Sequence, residues 1–379
     1  MVAALGAGIA QADEEGERLQ GGGNRSGWRY YPRAFPASVR PFIPRPAPLS
    51  LTLLIPGLLF PPEAAGGHQP RLPAAEKWLA RADVSREPGS GDAWLLRQWG
   101  LGDNAPVAAL SLAGEGLEAG GRWLRADPIH QQVIRHATLL HGDWALGLTR
   151  DEAGQAISAL NQFFKPDGLV FHAPHPGRWY VALGDRKPPR TTPLAQLAGA
   201  NPFGHLPEGD ERAFWRRVFG EAQMLLNQLP LNAEREAAGR PTLNGIWLWG
   251  GGELPTSLPK PFERVYADTP LARGLAAVSG TTSETMSDTE ITQLGAGPGA
   301  TLVVIDALER PALAGDIDRW AQAAEAVDRN WFNGLPAAIR THGRVDVVLP
   351  SATATGVHSL SRRALWRLWR APRALARHA

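Results

Sequence analysis

The sequence predicts an α/β fold in which a mainly parallel sheet flanked by helices is interrupted by an inserted α+β domain. Two observations carry that prediction. Continuous apolar runs such as "LTLLI" and "TLVVI" alternate with amphipathic helical stretches, as strands buried in a parallel sheet do. Between them, residues 121–235 change to short strands, a hairpin and longer helices. The predicted core is therefore discontinuous, over residues 49–120 and 236–379.

The first half of the core begins with an apolar strand, Leu49 to Ile55, which stops at Pro56-Gly57. An amphipathic helix follows in "LPAAEKWLARADV", and a second, short helix in "DAWLLRQWGL". The glycine-rich "SLAGEGLEAGGR" is typical of a linker into a different unit. Residues 1–48 are rich in Gly, Pro and Arg without periodicity, which predicts a disordered or mis-started extension.

The inserted domain is predicted from three local patterns. Thr149 and Glu152 form the spacing of a capping box at the start of a helix. "GLVFHAPHPGRWYVAL" is typical of two strands joined by a Pro-Gly turn. "DERAFWRRVFGEAQMLLNQLPLNAEREAAGR" predicts one long helix, with its apolar stripe formed by Phe214, Val218, Met224 and Leu225.

The second half of the core returns to alternating strands and helices. "GIWLWGGG", "TLVVIDAL" and "GRVDVVLP" predict strands, and "DIDRWAQAAEAVDRNWFNGL" predicts a helix between two of them. The final stretch, residues 361–379, carries six arginines and two tryptophans. We interpret it as a terminal helix that packs its Trp and Leu side chains on the domain, with contact to a membrane or nucleic acid as the alternative.

Composition excludes several classes of protein. The 379 residues contain 39 basic and 37 acidic side chains, so a net charge of +2 gives no general attraction for nucleic acid. Cysteine is absent, which rules out disulfides and thiolate chemistry. No apolar run reaches the length of about 18 residues that a membrane-spanning helix needs. These features favour a cytoplasmic protein.

Several segments together resemble a known family. "LNAEREAAGRPTLNGIWLWGGGELP" and "YADTPLARGLAAVSG" resemble stretches of archaeal-type cofactor-independent phosphoglycerate mutases. "RADPIH", "RWYVAL", "WLWGGG" and "ARGLA" are similar to RpfE-type regulatory proteins, a divergent branch of that group. The resemblance covers most of residues 49–360 and implies an alkaline-phosphatase-like core with an inserted domain.

The resemblance also implies a chemistry that this chain lacks the residues to perform. The family holds two divalent metals with Asp and His at strand ends, and these activate a Ser or Thr nucleophile. Here Pro56 replaces the first Asp, Leu313 replaces a His, and "PSATA" replaces a segment with another Asp-His pair. Glu309 and His358 are the residual metal candidates, and Ser90 lies near the position of the nucleophile. We therefore predict no catalytic residue and no cofactor.

Binding remains as the predicted activity, directed at a small anionic ligand or a protein partner. Glycines at a strand end allow backbone N–H groups to approach an anion, and arginine suits phosphate or carboxylate. The candidates, most of them taken from the resemblance, are Asp127, His130, Arg178, Asn232, Arg235, Asn244, Trp249, Gly250, Gly251, Gly252, Asp268 and Arg273. Structural explanations stand beside these: glycines required where a helix crosses the strand end, arginines in ion pairs, and tryptophan in the core.

The leading prediction is thus a non-catalytic regulatory or ligand-binding protein on a phosphoglycerate-mutase-like fold. The alternative is a metal-dependent phosphoryl-transfer enzyme, a mutase or phosphatase, that uses Mn or Zn at a site rebuilt from residues such as His68, Asp306 or Asp346. A third hypothesis, association with a membrane or nucleic acid, depends on the basic residues 361–379.

Overall fold

The computed structural model describes residues 49–59, 70–134, 137–197, 201–286, 290–294, 297, 299–351 and 354–378. The predictions for residues 1–48 and for His68 lie outside these ranges. The strands are β1 (Ser50–Leu54), β2 (Asp83–Pro88), β3 (Arg122–Ile134), β4 (Ala137–His141), β5 (Val170–His175), β6 (Arg178–Ala182), β7 (Gly245–Glu253), β8 (Arg264–Tyr266), β9 (Thr282–Glu284), β10 (Ala300–Val304), β11 (Arg344–Pro350) and β12 (Ala354–Ser361). The α-helices are α1 (Pro73–Arg81), α2 (Gly91–Gln98), α3 (Val107–Gly114), α4 (Asp143–Leu146), α5 (Arg150–Phe163), α6 (Arg212–Asn227), α7 (Leu231–Ala237), α8 (Pro270–Ser279), α9 (Glu309–Ala314), α10 (Ile317–Val327) and α11 (Leu335–His342).

The first sheet has the order β2-β12-β11-β1-β10-β8-β9. Strand β1 lies between β10 and β11 and is parallel to both, whereas β12 is antiparallel to its two neighbours. Helices cover both faces: Leu53 packs into the cluster that contains Trp78 of α1, and Leu54 into the one that contains Leu110 of α3. The predicted α/β class, with a mainly parallel sheet flanked by helices, is confirmed.

The second sheet has the order β4-β3-β6-β5, and β7 pairs with β3 on the other side. Strand β7 was predicted to belong to the core sheet. In the described ranges, however, β7 makes its ladder hydrogen bonds to β3. Alternate residues of β7, Ile246 and Leu248, bury their side chains against α5 and α6. Apolar strands of both sheets are buried on both faces, so hydrophobicity alone did not distinguish the two. The domain division at residues 121–235 stays a prediction.

Some local predictions for the second sheet and its helices are confirmed, and others are wrong. The capping box of Thr149 and Glu152 is present at the start of α5, and the predicted hairpin is formed by β5 and β6. The long helix predicted over residues 210–240 is two helices, because Pro230 interrupts the pattern between α6 and α7. Met224, predicted to be buried, is 62% exposed; the neighbouring face, with Ala222 and Leu226, is the buried one.

Helix α3 occupies part of the glycine-rich segment that the sequence analysis interpreted as a linker. It packs against α8 with backbones in close approach: a Cβ on Gly114 would lie 1.9 Å from the carbonyl oxygen of Pro270, and one on Gly274 would lie 1.8 Å from that of Leu110. These glycines are therefore contact residues between helices, and the true connection begins only after Gly114.

The C-terminal segment differs from the predicted packed helix. It forms two short 3₁₀ turns, Arg362–Trp366 and Leu375–Arg377, joined by an irregular stretch that contains Pro372. Leu375 is buried, but Trp366 and Trp369 are exposed to solvent. Within the described ranges, no helix is both long enough and apolar enough to cross a membrane.

Candidate functional site

The carboxyl ends of the parallel strands meet at one edge of the first sheet, where α/β proteins commonly bind ligands. Strand β1 is followed by Pro56, β11 ends at Pro350 and is followed by Ser351, and β8 and β10 are followed by Asp268 and Asp306. Two of these four strand ends thus offer a carboxylate, and two offer no charged side chain.

Three carboxylates influence one another at this edge. Burial, together with the nearby Asp92 and Asp306, raises the pKa of Glu309 at the start of α9 to about 8. Burial also raises the pKa of Asp306, and that of Asp92, which reaches solvent inside the cleft but is otherwise surrounded by protein. The side chains of Asp92 and Glu309 make no hydrogen bond to any residue that the structure describes. At neutral pH, Glu309 is therefore largely protonated.

Ser90 is the N-cap of α2, and its hydroxyl accepts a hydrogen bond from the Ala93 N–H at 3.5 Å. It lines a cavity of about 470 Å³ together with Asp92 and residues of three other segments. Those segments are the stretch from Asp103 to Val107, the loop containing Arg190 and Thr191, and the end of β7 at Trp249. The cavity therefore combines hydroxyl groups, a helix N-terminus and one arginine with the carboxylates of Asp92 and Asp103.

A buried network on the second sheet borders this cavity. Asp127 accepts hydrogen bonds from the Arg125 guanidinium at 2.6 Å and from the Trp249 indole at 2.7 Å. Arg125 lies over the rings of Tyr180 and Trp249, and the Tyr180 hydroxyl donates to Glu115 at 2.6 Å. Burial raises the pKa of Asp92, and the positive charge of Arg125 partly offsets that rise, so the two sheets are within electrostatic reach of each other.

Arg178 joins the same network from the start of β6. Its guanidinium donates to Glu115 at 3.0 Å, and its charge partly offsets the rise that burial causes in the pKa of Asp306. Sequence reasoning selected Asp127, Arg178 and Trp249 but missed the residues that link them: Arg125, Glu115 and Tyr180. The missed signal for Arg125 was its spacing, because residues two apart on a strand share a face and Arg125 precedes Asp127 by two.

The three glycines at the end of β7 have a packing explanation. Gly250 has φ +66°, and a Cβ there would lie 2.9 Å from the Cβ of Val107 at the start of α3. A Cβ on Gly251 would lie 2.6 Å from Pro188, and one on Gly252 would lie 2.6 Å from Pro106. The Gly250 N–H already donates to the Thr191 hydroxyl at 3.2 Å. Close approach of Pro106 and Val107 on one side and of Pro188 on the other therefore accounts for these glycines without a ligand.

Three further candidates form hydrogen bonds within the part of the fold that contains the second sheet. Arg235 is fully buried and donates to Glu152 at 2.9 Å and to the carbonyl oxygens of Pro241 and Leu146. Asn232 bridges the backbone of Leu226 and Leu243, and Asn244 exchanges two hydrogen bonds with the backbone of Gln131. Their polar groups are occupied by the fold, so a ligand cannot contact them without displacing these bonds.

The remaining candidates are spread over the molecule. His130 hydrogen-bonds the carbonyl oxygen of Thr242 at 2.8 Å, and Asp268 accepts from the Met286 N–H beside Asp306. Arg273 is exposed on α8. His358 is buried in the middle of β12, paired with Val347, and burial lowers its pKa to about 4. The structure thus does not bring His358 together with Glu309.

The residues at the strand ends do not fit the two-metal centre that the resemblance implies. In the described ranges, no group of three or more His, Asp or Glu side chains is arranged to hold a metal ion. Pro56 offers no ligand where β1 ends, and His358 lies away from the carboxylates. Two hard divalent ions require several oxygen or imidazole ligands each, and the described residues alone do not supply such a set at this edge.

Comparison with known proteins shows a relationship at low identity. No family model matches the chain. Over 235 residues it is 26% identical to a 2,3-bisphosphoglycerate-independent phosphoglycerate mutase of Methanothrix thermoacetophila, covering 55% of each chain. Over 227 residues it is 26% identical to 2,3-bisphosphoglycerate-independent phosphoglycerate mutase 2 of Methanothermobacter thermautotrophicus, covering 52% of this chain and 54% of the relative. The chain therefore matches about half the length of these curated relatives, which are cofactor-independent phosphoglycerate mutases.

Several solved structures also align with the chain, among them the following two. One, from Pyrococcus horikoshii, aligns with 83% of this chain and 87% of its own, at 14% identity and a TM-score of 0.47. The other is a cofactor-independent phosphoglycerate mutase from Thermoplasma acidophilum, with coverage of 83% and 90%, 14% identity and a TM-score of 0.37.

Proposed function

We propose that this chain is a non-catalytic protein that binds a small anionic ligand in the cavity beside Ser90, on a fold related to phosphoglycerate mutases. The observation that carries the proposal is the chemistry of the strand ends. Pro56 follows β1 and Pro350 ends β11, at positions where metal-assisted phosphoryl transfer needs ligands for hard cations. In this proposal, the chain binds its ligand but does not catalyse phosphoryl transfer.

Two features of the cavity lining support an anionic ligand. Arg190, in an exposed pair with Glu208 at 3.5 Å, and the N-terminus of α2 supply positive potential beside the carboxylates of Asp92 and Asp103. Thr191 and Thr192 add hydroxyl groups, which suit a ligand that carries hydroxyls beside its anionic group.

The experiment uses 3-phosphoglycerate as the probe, because the relatives are phosphoglycerate mutases. In buffer containing EDTA, we expect saturating probe to raise the unfolding temperature by about 3 °C, since a ligand that binds only the folded state stabilises it. The variant Arg190→Gln should lose most of that rise. Arg122→Gln is the matched control, because Arg122 is also in a surface pair with a glutamate but lies outside the cavity lining. No rise with wild type, or the same rise with both variants, would overturn the proposal.

A second candidate function is metal-dependent phosphoryl transfer at a rearranged site. It is favoured by Ser90 at the start of α2, in one cavity with Asp92, and by the mutual influence of Asp92, Asp306 and Glu309. The test is the metal content of the purified protein and hydrolysis of p-nitrophenyl phosphate with and without Mn²⁺ or Zn²⁺. Bound metal with metal-dependent turnover that Ser90→Ala abolishes would replace the first proposal.

The regulatory part of the proposal is based on the resemblance to RpfE-type regulatory proteins. In this proposal, occupancy of the cavity by the anionic ligand changes the affinity for a protein partner in the cytoplasm. Hydrogen exchange of the full chain with and without 3-phosphoglycerate provides the test. Protection that extends beyond the cavity lining supports coupling to a second surface, whereas protection limited to the lining contradicts it.

A further inference from the structure

An exposed apolar patch lies on the C-terminal segment. None of its residues lines the cavity beside Ser90. Trp366, Leu368 and Trp369 are 77%, 71% and 77% exposed. Every other tryptophan in the described ranges is buried or half-buried. Two indoles and a leucine exposed within four residues are a larger unpartnered apolar surface than scattered surface residues provide, and such patches mark interaction sites.

The backbone below this patch is fixed to the domain. The Arg367 guanidinium makes two hydrogen bonds of 2.7 Å to the carboxylate of Asp83 and one of 2.8 Å to the carbonyl oxygen of Arg81. Arg370 donates to the carbonyl oxygen of Ala82 at 2.7 Å. Both arginines therefore satisfy carbonyls at the end of α1. Arg367 and Arg370 lie between and beside the exposed residues, so the backbone that carries the patch has a fixed position on the domain.

The segment that carries the patch is positively charged. Residues 361–379 contain six arginines and no acidic residue. Arg363, Arg373 and Arg377 are exposed, and none of them makes an ion pair with a residue that the structure describes. One short segment thus supplies both the apolar and the electrostatic part of an interfacial anchor.

We infer that residues 362–377 form a docking surface for an anionic lipid bilayer. Trp366, Leu368 and Trp369 enter the interfacial region, where indoles are preferentially located, and the free arginines bind headgroup phosphates. Single-stranded nucleic acid also stacks on aromatic side chains, but stacking makes no use of the equally exposed Leu368. This inference is independent of the proposed ligand and of any catalysis.

The test is co-sedimentation of the full chain with vesicles of phosphatidylcholine alone and of phosphatidylcholine mixed with phosphatidylglycerol. We expect binding to the mixed vesicles, loss of that binding at high salt, and little binding to neutral ones. Replacing Arg363, Arg373 and Arg377 by Gln should weaken binding about fivefold for each arginine. The double change Trp366→Ala and Trp369→Ala should abolish it. Phe203→Ala, an exposed apolar side chain elsewhere, is the matched control.

Folding of each variant is checked by its circular dichroism and unfolding temperature, and all changed side chains are on the surface. If the tryptophan variant unfolds, Leu368→Ser carries the test instead. Equal binding to neutral and anionic vesicles, or unchanged binding by the folded patch variants, would overturn the inference. So would a single-stranded oligonucleotide that binds the chain more tightly than the mixed vesicles do and displaces it from them.

Discussion

The Trp249 indole donates a 2.7 Å hydrogen bond to Oδ2 of Asp127, while Oδ1 of the same carboxylate accepts from Arg125. The bond joins the last strand of the second sheet to its first one. Arg125 and Asp127 are both nearly excluded from solvent, so each charge depends on the other for compensation. This network sets the position of the cavity wall that Trp249 contributes.

Removal of the carboxylate charge should be costly for stability. We expect Asp127→Asn to lower the free energy of unfolding by about 3 kcal/mol, because it leaves the Arg125 charge buried without its main partner. Urea denaturation measures the change. The control is Glu253→Gln, which breaks a 2.7 Å pair with Arg122 at the surface of the same sheet and should cost less than about 1 kcal/mol. Equal costs for the two variants would show that the network is unimportant.

The packing explanation of the glycines predicts a steric cost at Gly250. Gly250→Ala should lower the free energy of unfolding by about 2–4 kcal/mol, since it adds a clash with Val107 to the strain of a left-handed backbone. Gly147→Ala is the control, because Gly147 has φ +54° with open space around it, and about 1 kcal/mol is expected there. If Gly250 is required only for the approach of a ligand, the two variants will have the same free energy of unfolding. Only Gly250→Ala will then fail to bind 3-phosphoglycerate.

The raised pKa of Glu309 predicts a pH dependence with a definite sign. A carboxyl group whose folded pKa is raised from 4.5 to about 8 favours the folded state below pH 4.5, and this contribution is lost as the pH rises to about 8. The substitution Glu309→Gln removes this pH-dependent loss of stability, because glutamine does not ionise. The variant should therefore be more stable than wild type by about 1–3 kcal/mol at pH 9 and close to it at pH 4.

Urea denaturation of both proteins between pH 4 and pH 9 checks this expectation. Glu325→Gln is the control, since Glu325 lies on the surface of α10 in a loose pair with Arg329. Its difference from wild type should stay below about 0.5 kcal/mol at every pH. A wild-type stability that rises between pH 5 and pH 8 relative to Glu309→Gln would contradict the raised pKa.

Helix α1 is capped from a distant part of the chain. Asp328 accepts hydrogen bonds from the N–H groups of Ala75 at 2.7 Å and Ala74 at 3.3 Å, while the helix has no side-chain cap of its own. Asp328→Ala should cost about 1–2 kcal/mol in urea denaturation. Asp318→Ala removes an exposed acidic residue from the first turn of α10 and should cost about 0.5 kcal/mol or less. A smaller loss at Asp328 than at Asp318 would exclude the capping role.

The features predicted well from the sequence are those specified within a few residues. The capping box at Thr149 and Glu152, the hairpin between β5 and β6, and the buried strand β1 each depend on local periodicity or a local hydrogen bond. Features set by distant segments were missed. Asp328 caps a helix more than 250 residues away in the chain, and no local pattern around Pro73 predicts it.

The candidate site shows the same division. Asp127 and Trp249 were selected through the resemblance, and the structure brings them into contact. Arg235 was selected as a ligand-binding residue, yet its guanidinium is enclosed by Glu152 and two carbonyl groups, which no spacing in the sequence could specify. Asp92 was not selected, because its importance arises only from its proximity to Glu309, 217 positions later.

The pairing of Arg122 with Glu253 joins two parts of the chain that lie 131 positions apart. These residues begin β3 and end β7, and they lie side by side in the second sheet. The chain therefore enters and leaves that sheet through neighbouring strand ends.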